Sequence, residues 1–139
     1  MIYRCKHFII QELVGPETFK ARGDQAWSLL DPGMLMTLDA YRNKFGSIVI
    51  NNWHAGGSFK ESGLRDFTTA TGAQWSMHKF GRAFDSKPQK VTVKEMYDYV
   101  LAHPDEFPYV NRVENIAATP TWFHSDSGNS PTRIVVVNP

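Results

Sequence analysis

One cysteine, Cys5, stands in 139 residues, so no disulfide can form within the chain and packing alone must hold the fold. No second Cys or His pair stands near Cys5-Lys6-His7 to complete a metal clip, which leaves that trio as residues of a terminal strand or turn. Long hydrophobic runs are missing as well: nothing reaches the roughly 18 apolar residues of a membrane span. Arg4, Lys6, Gln11 and Glu12 break up Phe8-Ile9-Ile10, so the N-terminus carries no apolar core of an export signal. Charge of one sign is also lacking. Fifteen basic against fourteen acidic residues give a net charge of +1 with no run of like charges, and so no footprint for binding nucleic acid or a membrane surface. Repeats, linkers and low-complexity tracts are absent, and residues 1–139 are expected to form a single domain.

What is present has the grain of an α+β domain. Asp31-Pro32 is a helix start, an N-cap acceptor followed by proline at the first helical position, and Met34, Leu35, Leu38, Tyr41 and Phe45 form an apolar stripe at helical spacing that Gly46 stops. Ser47 to Asn51 is a β-branched run that reads as a buried strand. Asn52 to Gln74, rich in Gly, Ser and Thr, predicts an extended loop carrying Arg65. Thr92-Val93-Lys94-Glu95 fits a capping box for a second helix running to the Pro104 region, with His103 at its end. Three strand-like runs follow: Tyr109 to Asn115, Thr121 to Ser125, and Arg133 to Val137. Helices first and strands later predict helices packed on a small antiparallel sheet.

The chemistry is concentrated in two places. Ser76-Met77-His78-Lys79-Phe80-Gly81-Arg82-Ala83-Phe84-Asp85 is answered near the C-terminus by Trp122-Phe123-His124-Ser125-Asp126. A hydrolytic zinc ion takes about three imidazole or carboxylate ligands and keeps one position open. His78, Asp85 and His124 supply that set. Gly81 allows a turn at positive φ between the first two, Ala83 keeps the approach uncrowded, and folding must bring the short aromatic run before His124 alongside.

These motifs, SxHxxGxAxD and then WxHxD, resemble those of the M15 family of zinc peptidases: D-alanyl-D-alanine carboxypeptidases, dipeptidases and phage L-alanyl-D-glutamate endopeptidases that cut peptidoglycan stem peptides. The order Leu30-Asp31-Pro32, a helix to Phe45-Gly46, Ile48 to Asn52 and Ser62-Gly63-Leu64-Arg65 is similar to short phage-encoded members and spans nearly the whole chain. The resemblance implies a Hedgehog/D-Ala-D-Ala-peptidase-like fold, a Zn2+ cofactor bound by His78, Asp85 and His124, and amide hydrolysis of a peptidoglycan stem peptide. It also implies that Arg65 steadies the substrate and the developing oxyanion; alternatively Arg65 forms a surface ion pair with Asp66 or Glu61. Ser76 is expected to bind substrate or fix the loop.

The general base is where the chain departs from the family. In several members a glutamate lies three residues before the last histidine, and here that place holds Thr121. Glu114 is the candidate. If Tyr109 to Asn115 and Thr121 to Ser125 pair as a hairpin around Ala118, Glu114 lies opposite Trp122 and is a diagonal neighbour of His124, about 7–8 Å away. Alternatively it is a solvated charge or a partner for Arg112. Asp126 is the rival, more readily as a carboxylate that orients His124. Trp53, His54 and Trp75 either line the cleft or serve in packing.

The expected protein is therefore a monomeric peptidoglycan peptidase with neither nucleic acid nor membrane as partner. It is made in the cytoplasm without a signal peptide and acts at the bacterial cell wall after release through a pore, or as part of a virion. A non-catalytic zinc-containing wall-binding or virion module is the alternative that the Thr121 departure leaves open, and a zinc hydrolase acting on a non-wall amide is a third.

Overall fold

The computed structural model describes residues 2–139. Its elements are α1 (Pro16–Arg22), α2 (Pro32–Phe45), β1 (Ile48–Val49), β2 (Ala83–Pro88), α3 (Val93–Ala102), β3 (Arg112–Glu114), β4 (Phe123–Asp126) and β5 (Val135–Val137), joined by short 3-10 turns and loops. Helices α2 and α3 begin and end where their local chemistry dictates. The Asp31 carboxylate accepts from the Met34 amide at 3.1 Å, Pro32 occupies the first turn and Gly46 closes α2 at φ +80°. Thr92 and Glu95 cap α3 reciprocally, each side chain bonded to the other's backbone amide.

The sheet has the order β1-β2-β4-β3-β5. Four strands meet antiparallel, but β5 runs parallel to β3, so the sheet is mixed rather than antiparallel as expected. Two strands, β1 and β2, precede α3, so helices and strands are interleaved along the chain. The strands are also shorter than the apolar runs suggested, with β1 reduced to Ile48–Val49 inside Ser47 to Asn51. Residues 52–74 are irregular, as the Gly, Ser and Thr content predicts, apart from a 3-10 turn at Trp53–Ala55 and a bridge from Leu64 to Val14.

Strand alternation separates core from site. Phe84 and Ser86 of β2, Phe123 and Ser125 of β4, and Val113 of β3 turn inward and are almost fully buried. They meet α2, whose Tyr41 packs against Phe107 and Phe123 and donates its hydroxyl to Ser125 Oγ at 2.9 Å. Burial of each such aromatic or aliphatic side chain contributes about 1.5–3 kcal/mol. Asp39, also on α2, receives the Lys6 and His7 amides and the Tyr3 hydroxyl, and so ties the N-terminal segment down. Cys5 takes part only in packing and a contact from Sγ to the Leu35 carbonyl. The opposite sheet face carries Asp85, Lys87, His124, Asp126, Arg112 and Glu114.

Candidate metal centre

Three donor atoms meet over β2 and β4. His78 sits in the 3-10 turn Met77–Phe80, which Ser76 caps by accepting from the His78 amide and Gly81 ends at φ +69°. A Cβ at Gly81 would overlap the Leu29 carbonyl, so both the turn and the close approach require glycine. Asp85 and His124 lie directly opposite each other in the β2–β4 register. His78 Nε2 is 3.2 Å from Asp85 Oδ1 and 3.3 Å from His124 Nδ1, and His124 Nδ1 is 2.9 Å from Asp85 Oδ1. An ion with bonds of about 2.0–2.1 Å in tetrahedral geometry holds its donors about 3.3–3.4 Å apart. The triangle has nearly that size before any adjustment.

The outward nitrogens settle what the inward ones offer. His78 Nδ1 faces the Gly63 carbonyl at 2.9 Å, and His124 Nε2 faces Asp126 Oδ2 at 2.8 Å. Each partner is an acceptor, so in the neutral rings these nitrogens carry the protons and the inward Nε2 and Nδ1 present lone pairs. Two lone pairs and a carboxylate oxygen then converge with no proton among them. Such a set calls for a cation, and the three residues could hold a metal ion.

Electrostatics agree. Burial opposes ionisation of Asp85, yet the two histidines hold its carboxyl far below the usual carboxylate range. Burial alone would lower the His124 pKa, but hydrogen bonding to Asp126 and Asp85 outweighs it and the pKa is raised to about 9. A field that favours a proton at His124 Nδ1 favours a metal cation in the same place.

Behind His124, Asp126 is almost fully buried, accepting from Arg112 Nε at 2.8 Å and from the Gly128 amide at 2.9 Å as well as from the imidazole. Its position orients the ring and leaves no oxygen free toward the donor triangle. Ala83 lies opposite Asp126, one row from the triangle on the Asp85 face of β2.

Glu114 is close to the triangle by a different register from the one expected. Arg112 pairs with Asp126 and Val113 with Ser125, so continuing by one residue sets Glu114 across from His124 rather than from Trp122. The slip is two residues, which preserves the face. Glu114 Oε1 stands 3.6 Å from His124 Nδ1. Burial raises its pKa, the Asp85 charge adds to that, and His124 counters it. Arg112 is engaged with Asp126 and is not the partner of Glu114.

These groups border a cleft of about 520 Å³ that also takes in Arg65, Trp75, Ser76 and Trp122. Arg65 forms no ion pair with Asp66 or Glu61. Its Nε donates to the Glu61 carbonyl at 3.1 Å, while Nη1 makes only long contacts, 3.4 Å each, with the Thr71 carbonyl and Ser76 Oγ. Asp66 instead binds the start of α1 through Thr18. Trp53 donates to the Val14 carbonyl and packs on Phe19, and His54 is exposed beside it, so neither lines the cleft. Thr121 is exposed, and His103 ends α3 with Nδ1 on the Tyr99 carbonyl.

No family model, curated protein or solved structure matches this chain.

Two contributors escaped the sequence reading. The Gly63 carbonyl that fixes the His78 tautomer is placed by backbone crossing, since a side chain there would strike the Leu13 carbonyl. Lys87 shares the Asp85 face of β2, and its Nζ donates to Ser62 Oγ at 2.9 Å and to the Asp85 carbonyl at 3.2 Å. Burial pushes its pKa down to about 8, with the Asp85 charge opposing. The alternation of Asp85 and Lys87 about Ser86 was the available signal.

Proposed function

We propose that this protein is a zinc metallopeptidase that hydrolyses amide bonds in peptidoglycan stem peptides, on a Hedgehog/D-Ala-D-Ala-peptidase-like fold. The observation that carries the reading is the convergence of His78 Nε2, Asp85 Oδ1 and His124 Nδ1, with the Glu114 carboxylate beside them and Arg65 on the same cleft. Two imidazoles and one carboxylate with an open side suit zinc in a hydrolytic role. The substrate class rests on the resemblance of both motifs to the M15 peptidases.

His78, Asp85 and His124 would hold the ion, which when bound supplies Lewis acidity, making water a better nucleophile near neutral pH and polarising the scissile carbonyl. Glu114 takes the proton that water loses and delivers it to the departing amine; its raised pKa suits both steps. Arg65 turns its lightly committed Nη1 toward the carbonyl oxygen as negative charge develops there. Ser76 holds the His78 turn through its hydroxyl and offers the same hydroxyl to the cleft. Gly63 and Asp126 keep the imidazole tautomers correct throughout. The Glu114 carboxylate beside the donor triangle favours catalysis over a non-catalytic wall-binding or virion module.

Incubating zinc-loaded protein with purified peptidoglycan, with and without a chelator, and identifying fragments by mass spectrometry tests the proposal. Chelator-sensitive fragments sharing one new end would support the peptidase and name its bond. Absence of fragments from folded, metal-loaded protein across several wall chemistries would sink it.

A further inference from the structure

A second cleft, of about 530 Å³, adjoins the metal group and shares Arg65, Asp85 and Trp122 with the first. Its distinctive feature is Lys87. The ammonium is held at one place by Ser62 Oγ, by the Asp85 carbonyl and by the face of the Phe59 ring, 4.3 Å from the ring centroid. Those contacts fix a partly buried cation but do not neutralise it. Neither Lys87 nor Arg65 forms an ion pair among the described residues. Two acidic side chains share the cleft: Glu61 accepts from the Thr69 hydroxyl at 2.7 Å, and Asp85 Oδ1 faces the two histidines. The Asp85 charge acts on Lys87 through space without pairing with it, and a half-buried cation with no ion-pair partner is costly unless a ligand supplies one.

We propose that this cleft is a carboxylate-binding subsite and that Lys87 determines its specificity. The proposal rests on the peptidase reading for its ligand class, a peptide carrying a free carboxylate close to the amide that is cut. Asp85 and Lys87 are two residues apart on one strand face, about 6.6 Å at strand spacing. A peptide whose scissile amide sits at the Asp85 end therefore brings a carboxylate to Lys87 from the same residue or its immediate neighbour. The Phe59 ring covers one side of the ammonium, which strengthens the charge-assisted hydrogen bond that the carboxylate accepts. An amide in place of the carboxylate would leave Lys87 uncompensated, so discrimination arises from charge rather than from shape.

The test reads binding, not turnover. The 139-residue chain carrying Glu114→Gln, so that no ligand is cleaved, is titrated by NMR with N-acetyl-L-alanyl-D-glutamic acid, its two monoamides and its diamide. The monoamides separate a side-chain carboxylate from a terminal one. At least one free-acid form is expected to bind about tenfold or more tighter than the diamide, a difference that Lys87→Met reduces below about threefold and Lys87→Arg largely keeps. Equal binding of acids and diamide, or a preference that survives Lys87→Met in a folded protein, overturns the proposal. Should Lys87→Met fail to fold, Lys87→Gln takes its place. Acid preference without cleavage of any wall would uphold the subsite while removing the peptidase reading; cleavage of walls without acid preference would do the reverse.

Discussion

Glu114 faces His124 across the β3–β4 pair, its Oε1 3.6 Å from the ring nitrogen that points at Asp85. A carboxylate in that position is near enough to exchange a proton with water in the cleft, yet it belongs to a strand different from the ones that carry His124 and Asp85. Removing its basicity should therefore spare the metal. For Glu114→Gln, kcat is expected to fall about 10²–10⁴-fold while metal content per chain is unchanged. Turnover on wall fragments and elemental analysis of the same samples check this together; loss of metal along with activity would place Glu114 among the ligands instead.

Asp126 acts through His124. Asp126→Asn can present an amide nitrogen to His124 Nε2 and so favour the wrong tautomer, turning a proton toward the donor triangle. Zinc affinity is expected to drop about 10–100-fold in competition against a chelating dye, with the far-UV spectrum retained.

The metal-free protein should respond to pH through His124. Its folded pKa, raised to about 9, exceeds the roughly 6.5 of an unfolded histidine, so protonation contributes stability that is complete below about pH 6.5 and is lost as pH rises through about 9. Metal needs the same nitrogen unprotonated, so its affinity changes in the opposite direction. Scanning calorimetry with a chelator is expected to show a thermal midpoint falling between pH 6.5 and 9, and the increase produced by zinc widening over that interval. A metal-free midpoint that rises across the interval would contradict the assignment.

Gly81 links the His78 turn to β2. Gly81→Ala must hold a left-handed φ of +69° and press a methyl on the Leu29 carbonyl. The backbone term alone costs about 1–2 kcal/mol. Denaturant unfolding is expected to show at least that loss, together with weakened metal binding because His78 moves with the turn.

Helices α2 and α3 and the donors were legible in the chain for the same reason, that their signals are local, whereas α1 was not expected. Asp31-Pro32 to Gly46 and Thr92 to Glu95 carry capping chemistry within a few residues, and both helices begin where it says. His78, Gly81 and Asp85 fall within one turn and one strand, so their spacing holds meaning before folding. His124 could be paired with them only through its own aromatic run. What could not be read was long-range. The parallel seating of β5 on β3 depends on how the segment after Gly128 returns, and the β3–β4 register depends on the turn at Asn115 to Thr119, whose hydrogen bonds set Glu114 against His124 rather than Trp122. Lys87 carries no local signal of its own, because its place on the Asp85 face follows from the alternation of β2, Ala83–Pro88, and no strand was expected there.

The peptidase reading depends on an ion at the meeting point of His78, Asp85 and His124. The most direct measurement is the equilibrium zinc content of the purified chain, by elemental analysis after dialysis against buffered free metal, for the unsubstituted protein and for Asp85→Asn and His124→Ala. The account expects one tightly held ion per chain, sharply weakened in both variants while each remains folded. A folded, unsubstituted protein that takes up no stoichiometric zinc, or that keeps its zinc in both variants, would contradict it.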